Sequence, residues 1–152
     1  VKTRLPFSGN REILNYMNSP EFDPAAQALV PAEYGAANYS GAGEIRVIES
    51  TPNRILYAVK TDEPQFAVFS EMYYPEGWTL KIDKEKIPIV QTNYALRGAV
   101  LPEGEYTLTL DFRPRAYYAG IKVVWIGNIL ILLLIGGSLL ILHRDTLFPQ
   151  KK

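Results

Sequence analysis

The sequence predicts a mainly β protein that ends in one transmembrane helix. The first observation is an uncharged stretch of twenty residues, 123–142, in which only Asn128 and Ser138 interrupt the apolar side chains. The second is a series of short segments between residues 44 and 112 in which apolar and polar side chains alternate. Alternation with a period of two is typical of strands that have one buried face.

The uncharged stretch has the length and composition of a membrane span. Twenty helical residues, at about 1.5 Å each, cover the roughly 30 Å hydrocarbon core of a bilayer. The alternative is a helix buried in a soluble domain, but a helix of that kind normally keeps a polar stripe, and residues 123–142 have none. We therefore predict a transmembrane helix over residues 119–143 and a short basic tail over residues 144–152.

Residues 1–43 have a weaker pattern and are interpreted as a lead-in with short helical turns. Residues 11–18 carry apolar side chains at helical spacing, and Pro20 ends that helix because the residue before a proline avoids helical backbone angles. Asp23-Pro24 predicts a second helical turn, since an N-cap precedes a first-turn proline. The Gly-rich residues 34–43 are predicted to form an irregular connection.

Residues 44–116 are predicted to form an antiparallel β-sandwich of about seven strands, immunoglobulin-like or jelly-roll-like. The apolar run 66–69 predicts a central strand that is buried on both faces. Pro88 restricts its strand to a sheet edge or a strand start. Short strands with turn chemistry every 8–12 residues are typical of a sandwich or a small barrel. The predicted strands are 44–49, 55–59, 65–72, 78–82, 87–91, 95–101 and 106–112.

Charge and composition exclude several classes of function. Residues 1–118 carry 12 Lys and Arg and 15 Asp and Glu, and residues 119–152 carry 4 and 1. Neither part has a basic patch that would bind nucleic-acid phosphates. The absence of Cys excludes disulfides and thiolate catalysis. Equal numbers of Lys and Arg flank the two ends of the helix, so charge alone does not orient it in a membrane.

No catalytic residue and no metal ligand is predicted in this segment. The carboxylates are scattered, and no pair is distinguished by its spacing. Glu71 and Glu76 flank an aromatic turn, and a solvated loop position is the preferred interpretation over a contact with a sugar hydroxyl. The single histidine, His143, is placed where the helix leaves the membrane, so neither a His-based triad nor a His cluster can form.

Five residues form the candidate functional surface, which would contact a sugar ring or a lipid-phosphate headgroup. Aromatic faces suit a sugar, and a guanidinium pairs with phosphate through two parallel hydrogen bonds. The alternative, which is the more common one for such residues, is that the aromatic rings fill the core and the arginine caps loop carbonyls. The five are Tyr73, Tyr74, Trp78, Tyr94 and Arg97.

Tyr117, Tyr118 and Trp125 are predicted to form a membrane-interface belt, where amphipathic rings lie at the level of the headgroups. Within the helix, Asn128 and several small residues allow close packing and hydrogen bonding between helices. An unpaired amide in hydrocarbon is costly. The expected partners are therefore the lipid bilayer and further membrane helices.

Several motifs carry a resemblance to a known family. In order and spacing they resemble the C-terminal region of the YfhO family of bacterial multi-pass membrane proteins. The resemblance covers the last two-thirds of the chain, and the first forty residues correspond by position only. The matching residues are 70–75 (SEMYYP), Gly77-Trp78, Asp83, Lys86, 93–100 (NYALRGAV) and 102–104 (PEG).

The resemblance implies a parent protein that is a GT-C-type glycosyltransferase acting in the modification of cell-envelope glycopolymers. Such a parent would use a lipid-phosphate sugar donor and a divalent metal, with its catalytic residues between early membrane helices that this segment lacks. The β-domain would lie outside the bacterial cytoplasmic membrane and the tail inside. This segment would bind no cofactor and would shape or cover the acceptor side, in contact with a glycan or lipid-linked sugar.

Two departures from the family pattern concern turns. Glu76 stands between Pro75 and Gly77, where the family runs directly from proline to glycine, and Lys84-Glu85 replaces a common glycine in the hairpin, which predicts a longer or less tight turn. The start at Val1 is expected to reflect a C-terminal piece of a longer chain. The alternative is a membrane-tethered carbohydrate- or lipid-binding or structural module without transferase activity.

Overall fold

A computed structural model describes residues 1–147 as two units, residues 1–113 and a unit that begins at Pro114. The first unit is mainly β, as predicted, and the second contains one long helix. The elements are β1 (Thr3–Phe7), α1 (Asn10–Met17), β2 (Gln27–Pro31), β3 (Ala37–Asn38), β4 (Gly43–Thr51), β5 (Arg54–Thr61), β6 (Gln65–Met72), β7 (Trp78–Ile82), β8 (Glu85–Ile87), β9 (Val90–Thr92), β10 (Leu96–Leu101), β11 (Gly104–Phe112) and α2 (Arg115–Leu147).

The strands of the first unit form three sheets. The largest has five strands in the order β4-β5-β11-β7-β8, and the second has three in the order β6-β10-β9. All strand pairs in these two sheets are antiparallel. The third sheet has the order β2-β1-β3, in which β1 pairs with β2 in parallel and with β3 antiparallel.

The five-stranded sheet and the β6-β10-β9 sheet share one apolar core, which confirms the predicted sandwich. β5, β7 and β11 contribute side chains from one sheet, and β6 and β10 contribute them from the other. Burial of such side chains is the dominant stabilising term in folding. The buried members are Ile55, Tyr57, Val59, Ala67, Phe69, Leu80, Ala99, Leu101, Leu108 and Leu110.

Strand β6 is buried on both faces, as its apolar run predicts. Ala67 and Phe69 face the shared core, whereas Phe66 belongs to a second cluster with Ala28 and Val30 of β2. The prediction that this strand is central in its sheet was wrong, because β6 is an edge strand and pairs only with β10 among the described strands. The burial of its second face comes from packing against the amino-terminal part of the chain.

Residues 1–43 hold more regular structure than the sequence predicts. The helix predicted over residues 11–18 is confirmed as α1. The Asp23-Pro24 turn leads into β2, and the predicted irregular stretch 34–43 contains the short strand β3. β1 and β2 each contain a proline and lack a clear alternation, so their pairing does not show in the local pattern.

Pro88 divides one predicted strand into two. β8 and β9 lie on either side of it and belong to different sheets, each at a sheet edge. Proline has no N–H to donate to a ladder, which accounts for the change of sheet. The preceding hairpin is tight, contrary to prediction: Ile82 pairs with Glu85, and Asp83 takes the left-handed conformation that glycine usually supplies (φ 53°).

Strand β4 departs from the predicted half-buried pattern. Its residues alternate between apolar and polar, yet all nine are exposed. Ile45 and Val47 lie opposite the buried Val59 and Tyr57 of β5, on the core face of the sheet. They are exposed because the sandwich core does not extend over this edge strand.

Helix α2 is long and apolar enough to span a membrane over Arg115–Ile141. None of the residues in its most apolar window is buried, which argues against the alternative of a core helix and supports association with a membrane. The predicted tail, 144–152, begins inside this helix, which continues to Leu147. The rest of that tail, residues 148–152, lies outside the described residues.

Candidate functional site

The candidate site is centred on a stacked pair, Arg97 and Trp78. Arg97 lies on β10 and Trp78 opens β7, so the pair joins the two sheets of the sandwich. The guanidinium carbon of Arg97 is 4.1 Å from the centroid of the Trp78 ring. A desolvated cation on an indole face gains about 2 kcal/mol. The stack therefore fixes the orientation of the indole from the core side.

Arg97 does not lie on a surface, which corrects the prediction of an exposed headgroup ligand. Its side chain is 1% exposed, and residues 97, 99 and 101 share the core-facing side of β10. Burial lowers the pKa of Arg97 from its ordinary value, although the Glu71 carboxylate opposes the shift. A buried guanidinium cannot bind a phosphate from solvent in this conformation.

Glu71 is the anionic partner of Arg97. Arg97 Nη2 lies 3.5 Å from Glu71 Oε2, and Arg97 Nε donates to the Glu71 carbonyl oxygen at 3.4 Å. The pairing of β6 with β10 shifts between Leu96 and Arg97, which leaves Ser70 and Glu71 without opposite residues. Such a bulge re-aims side chains. Here it brings the Glu71 carboxylate to Arg97.

The guanidinium is incompletely satisfied. Among the residues that the structure describes, neither Nη1 nor Nη2 of Arg97 makes a hydrogen bond, and Glu71 Oε2 accepts none. Buried donors without acceptors are costly, and they are retained mainly where they serve a specific purpose. The face of Trp78 supplies the remaining interaction with the cation.

Tyr57 completes the cluster from the opposite sheet. Its hydroxyl donates to Glu71 Oε1 at 3.3 Å, and its ring lies 5.5 Å from that of Phe69. Burial, together with the nearby Glu71 carboxylate, raises the pKa of Tyr57 to about 12. Tyr57, Glu71, Trp78 and Arg97 are referred to below as the Arg97 cluster.

Phe112 connects Trp78 to the surface. Its ring centroid is 4.8 Å from that of Trp78 and 6.3 Å from that of Tyr74, which is 41% exposed. Gly77 lies beneath these rings, and a Cβ there would come within 2.7 Å of Tyr74. The turn that includes Glu76 therefore packs closely, with Gly77 required for the approach.

Within the described residues, neither Tyr73 nor Tyr94 makes a ring contact with the stacked pair. Tyr73 is near Tyr34, whose pKa is raised by burial and by Glu33, with a smaller effect of Tyr73. Tyr94 is 41% exposed and has a left-handed backbone (φ 69°), which is uncommon for a bulky residue. The structure thus brings together Trp78 and Arg97 directly and Tyr74 through Phe112.

Sequence reasoning missed three members of this arrangement, namely Tyr57, Glu71 and Phe112. Glu71 was interpreted as a solvated loop residue, but it lies at the end of β6, two residues after the core residue Phe69. The alternation along β6 could have indicated that Glu71 faces the core, because a period of two places residues 67, 69 and 71 on one face. The same period places Arg97 beside Ala99 and Leu101.

The Arg97 cluster and Phe112 are suited to holding an aromatic surface in place and not to acid–base chemistry. Within residues 1–147, no group of three or more His, Cys, Asp or Glu side chains is placed to hold a metal ion. The Arg97 cluster contains one carboxylate, which is engaged by Arg97 and Tyr57. Of the five residues predicted to form the surface, Trp78 and Tyr74 are the aromatic ones held in place by these contacts.

In the second unit, the predicted belt residues lie on the amino-terminal part of α2. The rings of Tyr117 and Tyr118 are 5.5 Å apart in an edge-to-face arrangement, and Trp125 is exposed two turns later.

Comparison with family models, with curated proteins and with solved structures finds no match for this chain.

Proposed function

We propose that the chain is the C-terminal β-domain and last membrane helix of a YfhO-like integral membrane protein. The observation that carries this proposal is the combination of a β unit that has its own core with an unburied, apolar helix long enough to cross a bilayer. The motifs shared with the YfhO family supply the rest. The parent is then a GT-C-type glycosyltransferase that uses a lipid-linked sugar to modify cell-envelope glycopolymers.

In this proposal the segment is non-catalytic and shapes or covers the acceptor side of the parent enzyme. Trp78 and Tyr74 contact the glycan or the lipid-linked sugar, while Arg97 positions Trp78 from within the core. Tyr73 and Tyr94 extend the surface on neighbouring loops. The sugar donor and any divalent metal bind elsewhere in the parent.

A transfer assay on the full-length parent with lipid-phosphate sugars tests the role of this surface. We expect Trp78→Ala and Tyr74→Ala to reduce transfer at least about fivefold, since a stacked aromatic contributes about 1 kcal/mol or more to holding a ring. Tyr16→Ala, which removes an aromatic contact on α1 instead, is the matched control. Unchanged transfer by folded Trp78 and Tyr74 variants would exclude the proposed contact.

The proposal places the β-domain outside the bacterial cytoplasmic membrane and the tail inside. Residues 1–152 contain no Cys, so single cysteines introduced here into a parent without other accessible thiols can be mapped with a membrane-impermeant maleimide. Glu103→Cys, in an exposed turn of the β unit, should be labelled in intact cells, and Lys152→Cys should be labelled only after lysis. The reverse pattern would reject the orientation.

The second candidate is a membrane-tethered carbohydrate- or lipid-binding or structural module without transferase activity. The unburied apolar helix would anchor such a module in a bilayer, and Trp78 and Tyr74, supported by Arg97 and Phe112, would contact the ligand. The gene upstream of Val1 discriminates between the two. Several apolar spans of about 20 residues there favour the transferase, and their absence favours the module.

A further inference from the structure

Strand β4 has a free edge and an exposed apolar side. It pairs with β5 and with no other described strand. Ile45 is 40% exposed and Val47 is 55% exposed, although both lie on the core-facing side of the sheet. Soluble proteins usually protect such an edge, because its unpaired backbone groups and apolar side chains can add another strand.

The backbone groups that are available for a new strand can be assigned. Asp62 N donates to Ala42 O, so these opposite residues form a hydrogen-bonded pair at the start of the ladder. Antiparallel ladders alternate between bonded and non-bonded pairs. Glu44 and Arg46 therefore direct their N–H and C=O groups to β5, whereas Gly43, Ile45 and Val47 direct theirs outward.

The regular part of this edge is symmetric about Ile45. β4 begins at Gly43, and its register with β5 shifts after Val47. Because the bulge disrupts the ladder, five residues remain for regular pairing, with Ile45 at their centre. In a pair of two β4 strands, the residues whose backbone groups point outward must lie opposite one another. An antiparallel pair can therefore have its two-fold axis at residue 44, 45 or 46, but not midway between two residues.

Charge selects one of these registers. Centring on Ile45 places Glu44 of one copy opposite Arg46 of the other, twice by symmetry, and Ile45 opposite itself. Centring on Glu44 or on Arg46 would instead place like charges opposite each other, which is destabilising. Glu44 and Arg46 are both exposed on the outer face, where they can meet these partners.

We propose that two copies of this chain pair through antiparallel β4 strands about a two-fold axis at Ile45. The two five-stranded sheets then form one ten-stranded sheet, with six backbone hydrogen bonds across the junction. The pairing brings the exposed Ile45 and Val47 of both copies together on one face. This region continues into a groove of about 410 Å³ that Ile45 lines with Phe66 and Val68.

Single-cysteine cross-linking of the full chain in detergent micelles tests the register, since the natural chain contributes no thiol. In the proposed pair, the two Ile45 Cα atoms are about 5.5 Å apart, within disulfide range. From the strand rise and spacing, two Arg46 Cα atoms lie about 8 Å apart and two Val47 Cα atoms about 14 Å apart. Oxidation should therefore give a dimer with Ile45→Cys and little with Arg46→Cys or Val47→Cys.

A mixed experiment sharpens this test. Glu44→Cys and Arg46→Cys chains of different size, oxidised together, should form the heterodimer in preference to either homodimer. Glu103→Cys, in an exposed turn, measures random collision. Dimers that form equally at residues 45, 46 and 47, or at none of them, overturn the proposal.

Charge reversal tests the complementarity separately. Arg46→Glu places two pairs of like charges across the junction and should raise the dimer dissociation constant about tenfold or more by sedimentation analysis. Glu44→Arg combined with Arg46→Glu restores opposite charges and should restore the dimer. If the double variant dissociates as readily as the single one while its circular dichroism is native, the register is refuted.

Discussion

Asn93 binds both backbone polar groups of Leu29. The Asn93 N–H donates to the Leu29 carbonyl oxygen at 2.8 Å, and the Asn93 side-chain oxygen accepts from the Leu29 N–H at 2.8 Å. Both residues are buried, so the asparagine side chain replaces a strand neighbour for β2. The loop that follows β9 thereby connects the amino-terminal sheet to the sandwich.

Asn93→Ala should destabilise residues 1–113 by about 1–3 kcal/mol. The substitution leaves the buried N–H of Leu29 without an acceptor, and it removes a residue type that tolerates the left-handed backbone found here (φ 48°). Urea unfolding of the full chain in micelles, followed by Trp78 fluorescence in a Trp125→Phe background, measures the loss. Asn53→Ala, in the exposed turn between β4 and β5, should change stability by less than about 0.5 kcal/mol.

Gly98→Ala should also be destabilising, by about 1–3 kcal/mol. A Cβ at this position would lie 2.6 Å from the Phe66 ring and would collide with Thr92 Oγ1, both of which are fully buried. The same urea titration measures this loss. Gly9→Ala meets nothing within 4 Å and serves as the control. A Gly98→Ala chain as stable as the control would show that Phe66 repacks without cost.

The stack of Arg97 on Trp78 should give a measurable coupling. Arg97→Met keeps much of the side-chain volume but leaves Glu71 without its cation, and we expect it to cost about 2–4 kcal/mol. A double-mutant cycle with Trp78→Leu should give a coupling free energy of about 1–2 kcal/mol. Arg97→Lys should retain only part of this coupling free energy, because lysine lacks the planar guanidinium that stacks on the indole. Additive effects in the cycle would mean that the two side chains do not interact.

Tyr57 should make folding stability depend on pH in the alkaline range. Its pKa is raised from 10 to about 12 in the folded chain, so the unfolded chain loses this proton first as pH rises. The stabilisation is therefore complete below pH 10 and is lost between pH 10 and 12, at up to about 1.4 kcal/mol per pH unit. The difference in unfolding free energy between the natural chain and Tyr57→Phe, measured from pH 8 to 11, should shrink above pH 10. A difference that stays constant would contradict the assigned burial of the phenol.

Trp125 should report the depth of the predicted aromatic belt. In a Trp78→Phe background reconstituted into vesicles, lipids brominated near the headgroup should quench Trp125 more strongly than lipids brominated at the chain ends. Leu134→Trp in a chain that lacks Trp125 should show the opposite order, because residue 134 lies more than two turns deeper along α2. Equal quenching at both depths would argue against a fixed interfacial position.

Local periodicity explains which strands could be predicted. In β5, alternation of side chains coincided with burial of one face, and in β7 and β11 the predicted apolar face supplies the core residues Leu80, Leu108 and Leu110. In β4 the same alternation was present, yet no layer covers it, so the prediction of a buried face was wrong. β1 and β2 were missed because they lack alternation and pair across more than twenty residues of chain.

In the candidate site too, local pattern predicted some features and could not predict others. The residue types of the aromatic turn were visible in the sequence, but the burial of Arg97 was not predicted from it. The partner that makes its burial tolerable could not be identified, because Glu71 reaches Arg97 through a bulge in β6. A bulge depends on the pairing of two strands and leaves no mark on either one alone.

Local sequence pattern is enough to predict a β region with short strands and an apolar helix of membrane-spanning length in residues 1–147. These properties follow from side-chain period and run length, which are local. Three features are visible only in the folded chain: Arg97 is buried against Trp78, residues 1–43 add a third sheet, and β4 has an exposed edge. Those outcomes depend on which surfaces face each other after distant strands pair, and no local pattern specifies that.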